Sequence, residues 1–218
     1  MSKILSGIFG RPSGQTGGLV FGAARDRTGK VGTIRVRVVP ANPNSPDQQD
    51  VRLNFAQTVK VVRDLGPATY QSDWDRAVGQ LPGWHSLMGI LLDAMDDTQI
   101  YSAPPVTPLG TLHNPATIGI AASGAGGEIA YTWTNELGTD GTAADVVRGF
   151  AIRAEPDVDG NHPVFLIPAG ETRASSPYAL TGLGNGIDYL CCFYLQGAGT
   201  AAGKLTPSTW IVATSSTP

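Results

Sequence analysis

Cysteine is nearly absent from this 218-residue chain, and the two present, Cys191 and Cys192, are adjacent inside one apolar run. Neighbouring residues of a strand point to opposite faces, so no disulfide is expected between them. Neither a disulfide framework nor a Cys-ligated metal site is available. Histidine is equally sparse. His85, His113 and His162 stand apart, with no acidic or cysteine ligand at metal spacing, and each reads as an ordinary surface or partly packed residue. Charged residues reach only 15%. No apolar stretch approaches the length needed to cross a membrane, the longest lying around Leu87–Met95. The opening Met1–Gly10 has too short and broken an apolar core for a signal peptide. These absences fit synthesis in a cytoplasm.

Glycine (28 residues) and proline (16) are plentiful instead, as in a β-rich chain with many turns. With 41% apolar residues and a net charge of −3, disorder is not expected. The length allows one large domain or two small ones, and a two-part reading fits better. Charge divides the same way. Residues 1–65 carry ten Lys/Arg against four Asp/Glu, and residues 66–218 five against fourteen, balances of +6 and −9. One copy's first part is thereby attracted to a neighbour's second part, which speeds and orients association more than it adds affinity.

Residues 1–40 read as a Gly-rich basic arm ending in a strand. Glycine at 7, 10, 14, 17, 18, 22 and 29 leaves little apolar bulk for a core, so a partner is expected to order the arm. Thr33–Val39 alternates apolar and basic residues with the period of a strand. Residues 41–101 read as a helical region. Ser45-Pro46 is a helix start, with Asp47 and Asp50 suiting the positive end of the dipole. The helix is expected over 46–65, its packed face marked by Val51, Phe55, Val59 and Val62, until Gly66-Pro67 stops it. A second helix begins at Ser72 and carries Trp74, Ala77, Val78 and Leu81. A third presents Trp84, Leu87, Met88, Leu91, Leu92 and Met95 on one face. Together the three are expected to form a small helical core, with Asp93, Asp96 and Asp97 at a solvated end.

Residues 102–116, with Pro104, Pro105, Pro108 and Pro115, read as a semi-rigid linker and domain boundary. Residues 117–218 then alternate short apolar segments with Gly/Asn/Asp turns. Strands are expected at Thr117–Ala122, Ile129–Thr134, Val146–Ala154, Val164–Ile167, Tyr178–Leu180, Tyr189–Leu195 and Thr209–Ala213, the number and spacing of a β-sandwich. The fold class is thus α+β: an extended arm, a strand and a small helical region, followed by an all-β sandwich.

Two passages carry resemblances. Ser176–Tyr189 resembles the fibronectin type III segment in which one strand leads through a Leu-x-x-Gly turn to the tyrosine of the next, and Trp133 sits where that fold places its core Trp. The resemblance covers roughly residues 108–215 and implies an immunoglobulin/fibronectin III-like sandwich with Tyr189, Cys191 and Phe193 on its inward face. The loop Leu137–Asp145 and the segment Pro156–Pro163 depart from that pattern. Asn42, Pro43, Ser45, Pro46, Gln48, Gln49, Arg52 and Phe55 form an N-P-x-[ST]-P-x-Q-Q-x-x-R-x-x-F box, which resembles short structural proteins of tailed phages and prophages. That resemblance implies a bacteriophage virion protein, capsid-associated, a decoration or a tail component, acting through contacts with copies of itself and other virion proteins. Assembly contacts are expected at Arg25, Arg27, Lys30, Arg35, Arg37 and Arg52. Localisation would be the virion after synthesis in the host cytoplasm, with weak contact to host glycans as a role for the β domain.

No catalytic residue is assigned. Glu155–Asn161 alternates oxygen ligands before a glycine, but the glutamate a calcium loop needs is Leu166, so a polar turn is expected. Gly29-Lys30 is no phosphate loop, and no Gly-x-Ser-x-Gly elbow occurs. Asp73 and Asp75 read as solvated helix-start acids. The basic arm lacks interleaved aromatics, so nucleic acid is not expected as its partner, and neither a membrane, a metal nor a cofactor is. The alternative reading is a surface module that recognises carbohydrate through the β-sandwich.

Overall fold

The computed structural model describes the backbone of residues 2–4, 14–16, 19–26 and 29–36, and residues 45–66, 72–75, 83–105 and 110–218. The chain divides into two compact units, Met1–Ser45 and Pro46–Pro218. In the first, β1 (Ser2–Ile4), β2 (Gly14–Thr16), β3 (Leu19–Asp26) and β4 (Gly29–Val36) form an antiparallel sheet in the order β1-β4-β3-β2. Where one strand was expected at Thr33–Val39, residues 33–36 belong to β4, an inner strand between β1 and β3 in a sheet of four, and 37–39 lie outside the described residues. Glycine lowers strand propensity without abolishing it, and the ladder from Leu19↔Val36 to Asp26↔Gly29 satisfies its backbone groups locally.

The second unit begins with α1 (Pro46–Asp64), whose first residue is the proline that an N-terminal turn accepts. Gly66, at φ +83°, follows its last turn. α2 (Ser72–Asp75) is a single turn, and the rest of the second expected helix lies outside the described residues. α3 (Gly83–Ala94) buries Leu87, Met88 and Leu91 as its periodicity predicts, while Trp84 is exposed beside His85. After α3 the Asp96 carboxylate accepts hydrogen bonds from the Thr98 and Ile100 N–H groups and the Thr98 hydroxyl, turning the chain. Those bonds, that of Ile100 foremost, hold its carboxyl below the ordinary range. Tyr101 then donates its N–H to Ala154 O at 3.0 Å.

All seven expected strands of residues 117–218 are present: β5 (Ile118–Ala122), β6 (Ile129–Trp133), β7 (Val146–Arg153), β8 (Val164–Leu166), β9 (Tyr178–Leu180), β10 (Asp188–Gln196) and β11 (Thr209–Thr214). They form two antiparallel sheets, β5-β6-β9 and β11-β10-β7-β8, a fibronectin III-like sandwich. Tyr189 faces inward as expected, and its hydroxyl accepts the Gly184 N–H at 2.9 Å, closing a corner between β9 and β10. Between the sheets lie Trp133, Tyr131, Ile129, Leu180, Tyr189, Cys191, Phe193 and Leu195, with Trp133 and Phe193 rings 5.1 Å apart. Cys191 and Cys192 are both free and buried, on opposite faces of β10. Burial pushes the Cys191 thiol up to about 12, against an opposing contact from Tyr131, and pushes Cys192 well above its ordinary value.

The other face of the four-stranded sheet is covered as well. Leu190, Cys192, Tyr194, Phe150, Ile152 and Trp210 share one core with Val61, Val62, Leu65, Trp74, Leu87 and Leu91. The helices therefore lack the small core of their own that was expected, sharing one with the sheet instead. β10 supplies an apolar residue at almost every position, both faces need cover, and the helices are what covers the second. Residues 46–218 form one unit that runs across the expected boundary at 102–116.

Candidate functional site: the outward face of α1

α1 lies across this second core on an arc rotated from the one expected, and of the four residues expected to pack only Val62 is buried. Val51, Phe55 and Val59 are 68%, 50% and 38% exposed, whereas Gln57, Thr58, Val61, Val62 and Leu65 are buried. Polar anchors set the arc. Gln57 donates its side-chain N–H to Gly160 O, Lys60 Nζ donates to Asn161 Oδ1 at 3.1 Å, and Asn54 Nδ2 donates to Asp96 O at 3.3 Å. Gly160 fits because of its φ of +73°, which a side chain rarely adopts. With Gln57 and Thr58 turned inward, the i, i+4, i+8 stripe of Val51, Phe55 and Val59 is left facing water. Asp47, Gln48, Val51 and Arg52 also line a shallow, open depression.

The box residues Gln48, Arg52 and Phe55 fall on or beside this stripe, at helical spacings of four and three. Of the expected assembly residues, Arg52 is exposed on α1. Arg25 and Lys30 are register partners across β3 and β4, and Arg35 pairs with Val20. Arg27 and Arg37 lie outside the described residues. A stripe of exposed apolar side chains on a tethered helix is suited to bury against protein, and its chemistry is contact rather than catalysis.

The buried ionisable groups elsewhere are engaged in structure. Asp73, expected as a solvated acid, is buried, and its carboxylate accepts from Tyr194 Oη (3.1 Å) and Gln196 Nε2 (3.3 Å) beside Arg148 Nε at 3.6 Å. The side chain of Asp75 is outside the described residues. Arg173 and Asp145 form a wholly buried ion pair at 3.1 Å. Arg173 also donates to the carbonyls of Glu136 and His113, and its own carbonyl accepts the Trp133 indole N–H at 2.7 Å. Asp145 accepts from Thr142 N, Thr142 Oγ1 and Ala198 N. Burial pushes its carboxyl up, but those donors and the Arg173 guanidinium outweigh it and hold it below the ordinary range. This hub orders the Leu137–Asp145 loop, where Gly141 packs so tightly that a Cβ would meet Leu137 O at 2.4 Å.

In the Glu155–Asn161 segment Asp157 turns its carboxylate on the N–H groups of Asp159 and Asn161, making the polar turn expected there. No group of three His, Cys, Asp or Glu is placed to hold a metal among the described residues, and none of their helices is long and apolar enough to cross a membrane. Sequence reasoning missed the outward stripe because its apolar spacing is that of a packed face. Gln57 and Thr58 carried no apolar signal for the true one.

No protein-family model and no curated protein matches the chain. Among solved structures it is similar to the fibronectin type III domain of human collagen alpha-1(XX) chain, at 15% identity and a TM-score of 0.36, over 49% of this chain and 88% of that one. The fibronectin type III domain of human contactin 1 matches at 18% identity and a TM-score of 0.34, over 55% and 84%.

Proposed function

We propose that the chain is a structural protein of a bacteriophage virion, capsid-associated, a decoration or a tail component, working through contacts between its own copies and with other virion proteins. The observation that carries the contact mechanism is the exposed Val51–Phe55–Val59 stripe on a helix fastened at both flanks. The box that resembles phage structural proteins supplies the context, overlapping the stripe at Phe55 and bordering it at Gln48 and Arg52. Charge supports a second copy as the occupant. The unit Met1–Ser45 carries seven Lys/Arg against one Asp, and the remainder eight against seventeen, so copies attract each other through unlike units.

Light scattering of the full chain followed by electron microscopy tests this reading. Large regular species, lost in Val51→Asp/Phe55→Asp and on deletion of residues 1–40, are expected. Because both side chains face water, folding stability of Phe55→Ser should stay within about 0.5 kcal/mol of wild type. Normal assembly by the double variant would remove α1 from the mechanism. A strict monomer that binds neither particles nor its own copies would favour the carbohydrate-binding module instead.

A further inference from the structure

His162 is the one histidine the fold buries, with 4% of its surface exposed. Its Nδ1 lies 2.9 Å from Arg153 O. A carbonyl can only accept, so Nδ1 carries the proton and Nε2 is the bare nitrogen. Among the described residues that Nε2 is buried without a hydrogen-bond partner. The ring meets Tyr101 edge-on at 4.8 Å, and Tyr101 in turn faces Thr58 of α1. His162 also follows directly on Asp157–Asn161, the loop whose Gly160 and Asn161 hold Gln57 and Lys60 of the same helix. Tyr101, which meets the ring, and the loop that directly precedes it in the chain are thus two of the supports under α1, the Asn54–Asp96 bond and the core contacts of Val61, Val62 and Leu65 being others.

We propose that His162 is an acid-sensitive latch for α1: protonation at Nε2 expels the ring, and the Asp157–Asn161 loop and Tyr101 release the helix that presents the contact stripe. A new N–H at a buried position with no acceptor requires water or a different rotamer. The surrounding charges divide. Arg153, at the end of β7, opposes the imidazolium, Asp157 of the loop favours it, and Tyr101 is kept neutral because burial pushes its hydroxyl up to about 12 against the opposing Thr58. From α1 the only charged group at this support is Lys60, bonded to Asn161. Burial first, then Arg153, outweighs the Arg153 carbonyl and Asp157 and lowers the His162 pKa below its ordinary 6.5. The support is thus intact above that value and weakens as pH falls beneath it, because the released state binds the proton more readily.

The test is amide hydrogen exchange of the full chain at about pH 7.5 and pH 5, corrected for intrinsic rates. Protection of residues 46–64 should fall about ten-fold for each unit by which the ring's pKa is lowered, while β10 keeps its protection. His162→Asn, which retains a donor for Arg153 O and cannot be protonated, should abolish the pH dependence. Unchanged α1 protection in wild type, or equal sensitivity in His162→Asn, overturns the proposal. Should that variant not fold, NMR titration of the His162 ring in wild type decides it. A midpoint below 6.5 that coincides with loss of α1 protection upholds the latch, and any other midpoint overturns it. The readout is local, so it stands or falls independently of the virion reading.

Discussion

On one face of β10, Tyr189, Cys191, Phe193 and Leu195 close against the three-stranded sheet. On the other, Leu190, Cys192 and Tyr194 close against the helices. The two cores are equally dry at β10 but are fastened differently. The inter-sheet core is made of aromatic and aliphatic packing, with its one buried ion pair, Arg173–Asp145, at the loop end. The helix–sheet core depends on Asp73, which ties α2 to Tyr194 and Gln196, and on the side-chain bonds that seat α1. Hydrogen bonds contribute about 1 kcal/mol each, against several for a buried ring, so the helix layer should open before the sandwich does.

The largest effect is expected from Phe193→Ala, which empties a site shared with Trp133 and should cost about 3–5 kcal/mol. Urea unfolding checks it, and the two layers should then unfold together. Arg173→Met should cost about 3 kcal/mol or more, because it leaves Asp145 buried and unpaired. Acid titration of stability sharpens this point. The lowered Asp145 pKa stabilises the fold above the ordinary carboxylate value of 3.8, and that contribution disappears as pH falls through the folded value. Asp73→Ala should cost about 1–3 kcal/mol and should be seen first as faster exchange in α1 and α3, with β7 and β10 still protected. If the sandwich loses protection equally, the two layers are one cooperative unit. The smallest effect is Tyr189→Phe, about 1 kcal/mol from the lost corner bond to Gly184, read from the urea midpoint.

The inter-sheet half was legible in the chain because its signal is local. Alternation put Tyr189, Cys191 and Phe193 on one face, Gly and Asn marked the turns, and all seven strands lie where those cues put them. The helix half was legible only in its elements. Pro46 and Ser72 start helices as expected, but the orientation of α1 about its axis was misread, since Val51, Phe55 and Val59 match helical spacing as well as any buried face. For the candidate site, Arg52 and Phe55 were named from the box, while the exposed stripe to which Phe55 belongs was not recognised.

The sequence by itself determined the seven strands of residues 117–218, the helix starts, the opposite faces of the adjacent cysteines and the unlike charges of the two ends. Each follows from one or two turns of local chemistry. Only the tertiary structure decided that β10 is covered twice, that Asp73 and Arg173 are buried with partners, and that α1 turns Gln57 and Thr58 inward. Those outcomes depend on residues about forty to more than a hundred positions apart: Asp73 with Tyr194, Arg173 with His113 and Glu136, and Gln57 with Gly160. A buried polar side chain is favourable only where its partner happens to stand, and no local pattern records where that is.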